Sequence, residues 1–346
     1  MLVIENIVND NPTLQRYDWP LVKSFNQLDT KLLNFINNSR EEKKRTLANL
    51  VRSTDSHGAF LNNHLGTIYS YFYGYPDSPC YLNSDVDLEL YIQEAKLILE
   101  FSFIHEWLKI VEAPFFTSQK DAVSHLKHLA MKNSGILHEL FNFIEREASK
   151  EAILEFLRLE VLRNEVVDDE VALIVVGLQG NMKKVMVSNL WDECGNGNLT
   201  KFHTYWLRQL INSLLDWNNF IRYRSEKQPW FSKISSNSFN SLLFRPQYKF
   251  RAYGHFLITE AWVEPHFVKI LNGLERVGLT QSDIQIYFSA HTKIDPHHTK
   301  EIITAIEYQS PALTLEEIRE IVIGAYQAIE ANLQQYKRVL NYLKSF

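Results

Sequence analysis

The chain has 346 residues, including 12 His and only 2 Cys, and a formal net charge of −5. Hydrophobic residues make up 45% and aromatics 13%, enough to bury a large core, which excludes a disordered chain. Cys80 and Cys194 are too few for a disulfide framework or a thiolate zinc site. Charges of both signs, interspersed at a pI near 6.2, leave no basic footprint for nucleic acid.

At ~100–200 residues per domain the length allows two domains or one elaborated domain. Twelve Gly and ten Pro are too few for an all-β chain joined by turns. The opening Met1-Leu-Val-Ile-Glu-Asn has neither the basic nor the apolar part of a signal peptide. The longest apolar run, Val171 to Leu178, is too short to span a bilayer. A cytoplasmic protein without membrane or nucleic-acid partners is expected.

Apolar residues recur every three or four positions along most of the chain, so the predicted fold class is all-α. In chain order, the turn residues of Gly74 to Cys80 predict a loop, and a helix is expected from Asp87 to Val111. Another runs from Gln119 to Arg146, interrupted near Asn133-Ser134-Gly135. Further helices are expected over Lys150–Asn164, Asp168–Trp191, Thr200–Tyr223 and Gly254–Val277. Between the last two, Lys227 to Phe250 holds serines, prolines and aromatics without clean periodicity and reads as a mobile lid. Thr314-Leu-Glu-Glu317 has the pattern of a capping box and opens a final helix to the C-terminus. Residues 1–115 form an N-terminal helical extension in this reading, and 116–346 a bundle packed with it as one unit.

Chemistry concentrates near the C-terminus, in His291-Thr-Lys-Ile-Asp295-Pro-His-His298. On a helix at ~100° per residue, Asp295 lies about 40° from His291 and His298 about 20° to the other side. Three candidate ligands then share a face while His297 points away; iron, manganese and zinc all suit such a set. The competing reading makes Asp295 an N-cap and Pro296 the first helical residue. Glu160 continues the apolar stripe Ile153, Leu157, and Glu260 lies on or beside another. A carboxylate aimed at a core is costly unless paired, neutralised or metal-bound. A third cluster, Asp192-Glu193-Cys-Gly-Asn-Gly197 followed by His203, also reads as a glycine-capped helix end with both acids solvated. No glutamate is followed by histidine three residues later, so the paired Glu-x-x-His signature of ferritin-like bundles is absent. His-Glu-x-x-His and glycine-rich nucleotide loops are absent too.

Glu160, the Asn-x-x-Asp-Glu-x-Gly-x-Gly run with Glu193, His203, Thr-Glu260 with a proline five residues on, and Tyr287-Phe-x-x-x-His291-x-x-x-Asp295-x-x-His298 occur in that order. Over roughly residues 150 to 310 this resembles the heme-oxygenase-like diiron oxidases, or iron-containing redox enzymes. The resemblance implies a heme-oxygenase-like helical bundle holding two iron ions (Fe2+/Fe3+) and no heme. It also implies that Glu160, His203, Glu260, His291, Asp295 and His298 are iron ligands, with Glu193 an additional carboxylate ligand. Glu165 and Glu170 rival Glu160, because the gap to His203 is long, and Glu264 rivals Glu260.

The activity implied is oxidation of a small-molecule substrate by dioxygen. Amine or amino-acid oxidation (N-oxygenation or oxidative C–C/C–N cleavage) comes first and fatty-acid oxidative decarboxylation second. An external electron donor and assembly into a homodimer are both compatible with it. Glu193 and Tyr287 are candidate catalytic residues. Arg245 and Arg251 are candidates to hold a substrate carboxylate, against the alternative of solvated arginines. Two readings from other classes remain: a metal-free helical binding module, and a mononuclear zinc or manganese hydrolase.

Overall fold

In a computed structural model of the protein, residues 30–346 are described except 52, 75–85, 133–134 and 215–216. All regular structure among the described residues is helical. The N-terminal part comprises α1 (Thr30–Asn37), α2 (Arg40–Leu50), α3 (Thr54–Phe72) and α4 (Val86–Phe101), the last running into a π-helical segment Ser102–Leu108. The bundle follows with α5 (Gln119–Lys132), α6 (Glu139–Arg146), α7 (Lys150–Asn164), α8 (Val167–Val175) and α9 (Gly180–Glu193). It continues with α10 (His203–Leu214), α11 (Trp217–Glu226), α12 (Ile234–Leu243), α13 (Lys249–Arg276), α14 (Ser282–Glu307) and α15 (Leu315–Leu343). Among the described residues no helix is long and apolar enough to cross a membrane. The predicted loop from Gly74 to Cys80 lies, Gly74 apart, outside the described residues.

Helix ends follow local chemistry. Thr314 and Glu317 close a reciprocal capping box: Thr314 N–H donates to Glu317 Oε2 at 2.8 Å and Glu317 N–H to Thr314 Oγ1 at 3.2 Å. The helix expected over Asp168–Trp191 divides into α8 and α9 because Gly177 (φ 79°) and Gly180 (φ 56°) turn the chain left-handed between them. Pro265 and Pro296 sit inside α13 and α14 without ending them. Each leaves one carbonyl of the preceding turn without its helical donor, which surrounding packing overrides.

The expected lid is a correction. Most of Lys227–Phe250 is helix, and every residue of α12 except the partly buried Ser236 is buried. Its polar side chains bond to other helices: Ser235 Oγ donates to Asn332 Oδ1 at 2.6 Å and Asn237 Nδ2 to Asn62 O at 2.9 Å. Gln327 Nε2 donates to Ser238 O at 2.9 Å. Tertiary hydrogen bonds therefore hold a segment whose own propensity is poor.

Helix α13 is the hub, packed against α14, α15 and α6. One apolar cluster lies around its first half, with Tyr253, Phe256 and Trp262; another lies around its second half, with Phe267 and Phe288. The N-terminal helices carry their own cluster, closed by Ile234 of α12 and Ala331 of α15.

His266 of α13 is buried, stacked 3.5 Å from Phe141, and donates from Nε2 to Gly135 O at 2.9 Å. Burial pulls its pKa down to about 3, against an ordinary value of 6.5. Unfolding exposes a ring that takes up a proton below its ordinary pKa, so stability held above that value is lost as pH falls toward 3. The contribution is about 1.4 kcal/mol per pH unit in that window. Urea titrations from pH 6.5 to 4 are therefore expected to show a shallower stability slope for His266→Gln by about that amount. Equal slopes would remove this account of His266.

Candidate metal centre

Glu193 ends α9 and His203 begins α10, with a tight turn between them. Gly195 (φ 56°) lets the chain double back so closely that a Cβ there would lie 2.4 Å from the carbonyl carbon of Lys201. That return places His203 Nδ1 2.6 Å from Glu193 Oε2. His291 of α14 completes a first group, its ring 4.4 Å from that of His203. A second group joins Glu260 of α13 to Asp295 and His298 of α14. Within each group the donor atoms lie within 4.8 Å of one another, and all six residues are buried. One face of α14 thus serves both groups, while His297 points to solvent and pairs with Glu301.

The donor atoms behave as ligands in want of a cation. Glu193 Oε2, His203 Nδ1 and Asp295 Oδ2 are buried without a hydrogen-bond partner. Glu193 Oε2 and His203 Nδ1 approach to 2.6 Å without the geometry of a hydrogen bond. The far nitrogens are held in the manner of metal-bound imidazoles. His291 Nδ1 donates to Tyr287 O at 2.6 Å, leaving Nε2 as its free donor atom. His298 Nε2 contacts Asp192 Oδ2 at 3.1 Å while its Nδ1 faces Glu260 Oε2 at 3.1 Å. Three carboxylates and three imidazoles, with no thiolate, form a hard oxygen-and-nitrogen set that fits iron.

Electrostatics agree with that fit. Burial, then Glu260 and Glu193, push the Asp295 carboxyl well above the usual range. Burial also raises Glu260. Burial would raise Glu193 too, but His203, His291 and His298 together hold it low. Burial, then His203, pulls His291 down to about 4. Burial would lower His298, yet Glu260 and Asp192 raise it to about 9. Buried like charges with so few countercharges are the setting a bound cation relieves.

Glu160 lies outside both groups but lines the same cavity of about 100 Å3, where Asn164 Nδ2 donates to its Oε1 at 3.0 Å. Tyr287 lines this cavity as well, its ring 4.4 Å from that of His291. Aromatic side chains, among them Phe256, Trp262 and Phe267, close much of the rest. Of the rivals, Glu165 lies outside this cavity and is held by Arg224 Nη1 at 2.6 Å. Glu170 reaches the cavity and is paired with Arg163 at 3.0 Å. Glu264 is only partly buried and takes no part in lining it.

Arg245, Arg251 and Asp192 each meet partners that lie far away in the sequence. Arg245 and Arg251 do not line the cavity. Arg245 pairs with buried Glu100 at 3.2 Å and Arg251 with Glu320 at 2.5 Å, and both guanidinium groups stack on Tyr248. Asp192 is not simply solvated, because one oxygen turns inward to His298. Its signal in the sequence was only adjacency to Glu193; its partner lies 106 residues away.

The model of the iron-containing redox enzyme family matches residues 154–333. A crystal structure of a CADD-like protein of unknown function from Nostoc punctiforme superposes with TM-score 0.52 at 16% identity, covering 65% of this chain and 97% of that one. A second crystal structure of the same description gives TM-score 0.51 over 66% and 96%. At that identity the likeness is one of fold, and it is the all-α bundle expected of the heme-oxygenase-like class. A search of curated proteins found no match. The family match spans more than half of the sequence and contains all six residues of the two buried ligand groups, so this chain belongs to the iron-containing redox enzymes.

Proposed function

We propose that the protein is a non-heme diiron oxygenase or oxidase that uses dioxygen to oxidise a small amine or amino acid. The observation that carries this reading is the pair of buried three-residue groups with unsatisfied ligand atoms, both drawing on α14. Glu193, His203 and His291 would hold one iron and Glu260, Asp295 and His298 the other, with Glu160 an additional carboxylate in the same cavity. Two ferrous ions held there would supply the electrons that reduce dioxygen and the oxidising power turned on the substrate.

The chain's own residues do the rest. Tyr287 O and Asp192 fix the ring orientations of His291 and His298 through their far nitrogens. Phe256, Trp262 and Phe267 keep bulk water from the cavity. Tyr287 holds its phenol proton firmly, since burial, then Glu160 and Glu193, raise its pKa well above normal. It thus stands beside His291 as a neutral hydroxyl. The cavity's lining of carboxylates, imidazole and aromatic rings offers an amine or amino acid both charged and apolar partners.

Anaerobic titration with ferrous ion tests the proposal. About two irons per chain are expected to remain after desalting, with a transient visible absorption on mixing with oxygen. One zinc retained per chain, without oxygen consumption, would favour a hydrolase instead. Absence of bound metal would leave a helical binding module.

A further inference from the structure

A second cavity of about 220 Å3 opens between α3, the end of α7, α11 and α12. Its floor includes Arg163, which also lines the metal cavity, so the two chambers stand back to back across α7. Much of its wall is polar, with Asn237, Asn240, Gln228 and Ser236 all contributing.

The charges in this cleft leave a remainder of one. Arg163 is paired with Glu170 at 3.0 Å, and Arg224 with Glu165 at 2.6 Å. Lys233 is different. At the exposed rim of the cleft its ammonium donates to the neutral amide oxygen Asn63 Oδ1 at 3.0 Å, and no carboxylate among the described residues lies within ion-pair distance. The lysine stem is confined: a Cβ on Gly66 of α3 would approach Lys233 Cδ to 3.1 Å, so the lysine threads past a position without a side chain. Lys233 is only partly buried, and burial of its stem draws its pKa down to about 8.

We infer that this cleft binds a small polar monocarboxylate, its carboxylate on Lys233 and its polar body against the amides of Asn237, Asn240 and Gln228. A single unpaired ammonium matches one negative charge. A phosphate, carrying up to two, would need a second free cation, and both neighbouring arginines already hold carboxylates. The site is separate from the metal centre and does not require the diiron reading.

Calorimetric titration of the full chain, before and after ferrous loading, provides the test. N-acetylglycine and 4-hydroxybutyrate serve as polar monocarboxylates, N-acetylglycinamide as the neutral counterpart, and inorganic phosphate as the competing anion. Both carboxylates are expected to bind in either metal state, and the neutral amide is not. Lys233→Met, which keeps the stem, is expected to weaken binding by about tenfold or more, and Lys233→Arg to restore it in part. Thermal melts of both variants check that the fold is retained. Failure of either carboxylate to bind, binding in Lys233→Met equal to the unaltered chain, or saturation by phosphate alone would overturn the inference. Failure of iron to load would leave these titrations readable, so the two proposals fail separately.

Discussion

Asp295→Asn is expected to yield a folded protein that binds about one ferrous ion where the unaltered chain binds about two. Without a cation, burial and the neighbouring Glu260 and Glu193 push the Asp295 carboxyl toward its neutral form. Asparagine has nearly the same shape and is neutral as well, so the metal-free fold should tolerate it. What it cannot supply is an anionic oxygen to a metal, and Asp295 Oδ2 is one of the atoms left without any other partner. The group of Glu193, His203 and His291 keeps all its ligands and should still load. Asp192→Asn makes the informative contrast. It leaves all six group residues in place and alters the contact to the far nitrogen of His298, while a carboxamide oxygen can still accept from Asn196 Nδ2, so both irons should bind, the second about 10–100-fold more weakly. Iron assay after desalting, beside thermal melts of the metal-free proteins, reads both effects. Two irons retained by Asp295→Asn would show that this aspartate is not a ligand.

Gly254→Ala is expected to destabilise the protein by about 3 kcal/mol or more. At the crossing of α13 and α15 the two helices touch through glycines on both sides. A Cβ on Gly254 would lie 1.8 Å from Ile321 O, and one on Gly324 1.9 Å from Arg251 O. Neither clash can be relieved by rotating a side chain, because the obstacle is backbone in each case. The helices must separate, and α13 carries Glu260 little more than one and a half turns further on. Gly324→Ala should behave alike, since it meets the same interface from the other side. Urea unfolding measures the change. A midpoint for Gly254→Ala indistinguishable from that of the unaltered chain would mean the close approach is not maintained.

Much of the architecture was legible from local pattern. The expected helix Lys150–Asn164 is α7 residue for residue, opened by Ser149 Oγ accepting from Ala152 N–H. The capping box at Thr314 opens α15 where the motif places it. The face shared by His291, Asp295 and His298 could be computed from the helical period because one element carries all three. Helix α12 was not legible. Its serines and asparagines are poor helix formers that lack an apolar stripe, and they are satisfied only by Asn62, Gln327 and Asn332 from other helices.

The same distinction runs through the candidate site. Spacing put His291, Asp295 and His298 on one helical face, and it was the resemblance to the iron-containing redox enzymes that marked Glu193, His203 and Glu260 as further ligand candidates. Sequence could not say where the arginines go: Arg245 and Arg251 flank the right helix but point to Glu100 and Glu320. Nor could it reveal that Asp192 braces His298, or that Lys233 is left without a countercharge between α3 and α12. By itself the sequence determined most of the helices, the all-α class and the residue types of a candidate ligand set, all properties of local periodicity and composition. The tertiary structure alone decided which charges are compensated, because compensation depends on distances between residues far apart in the chain.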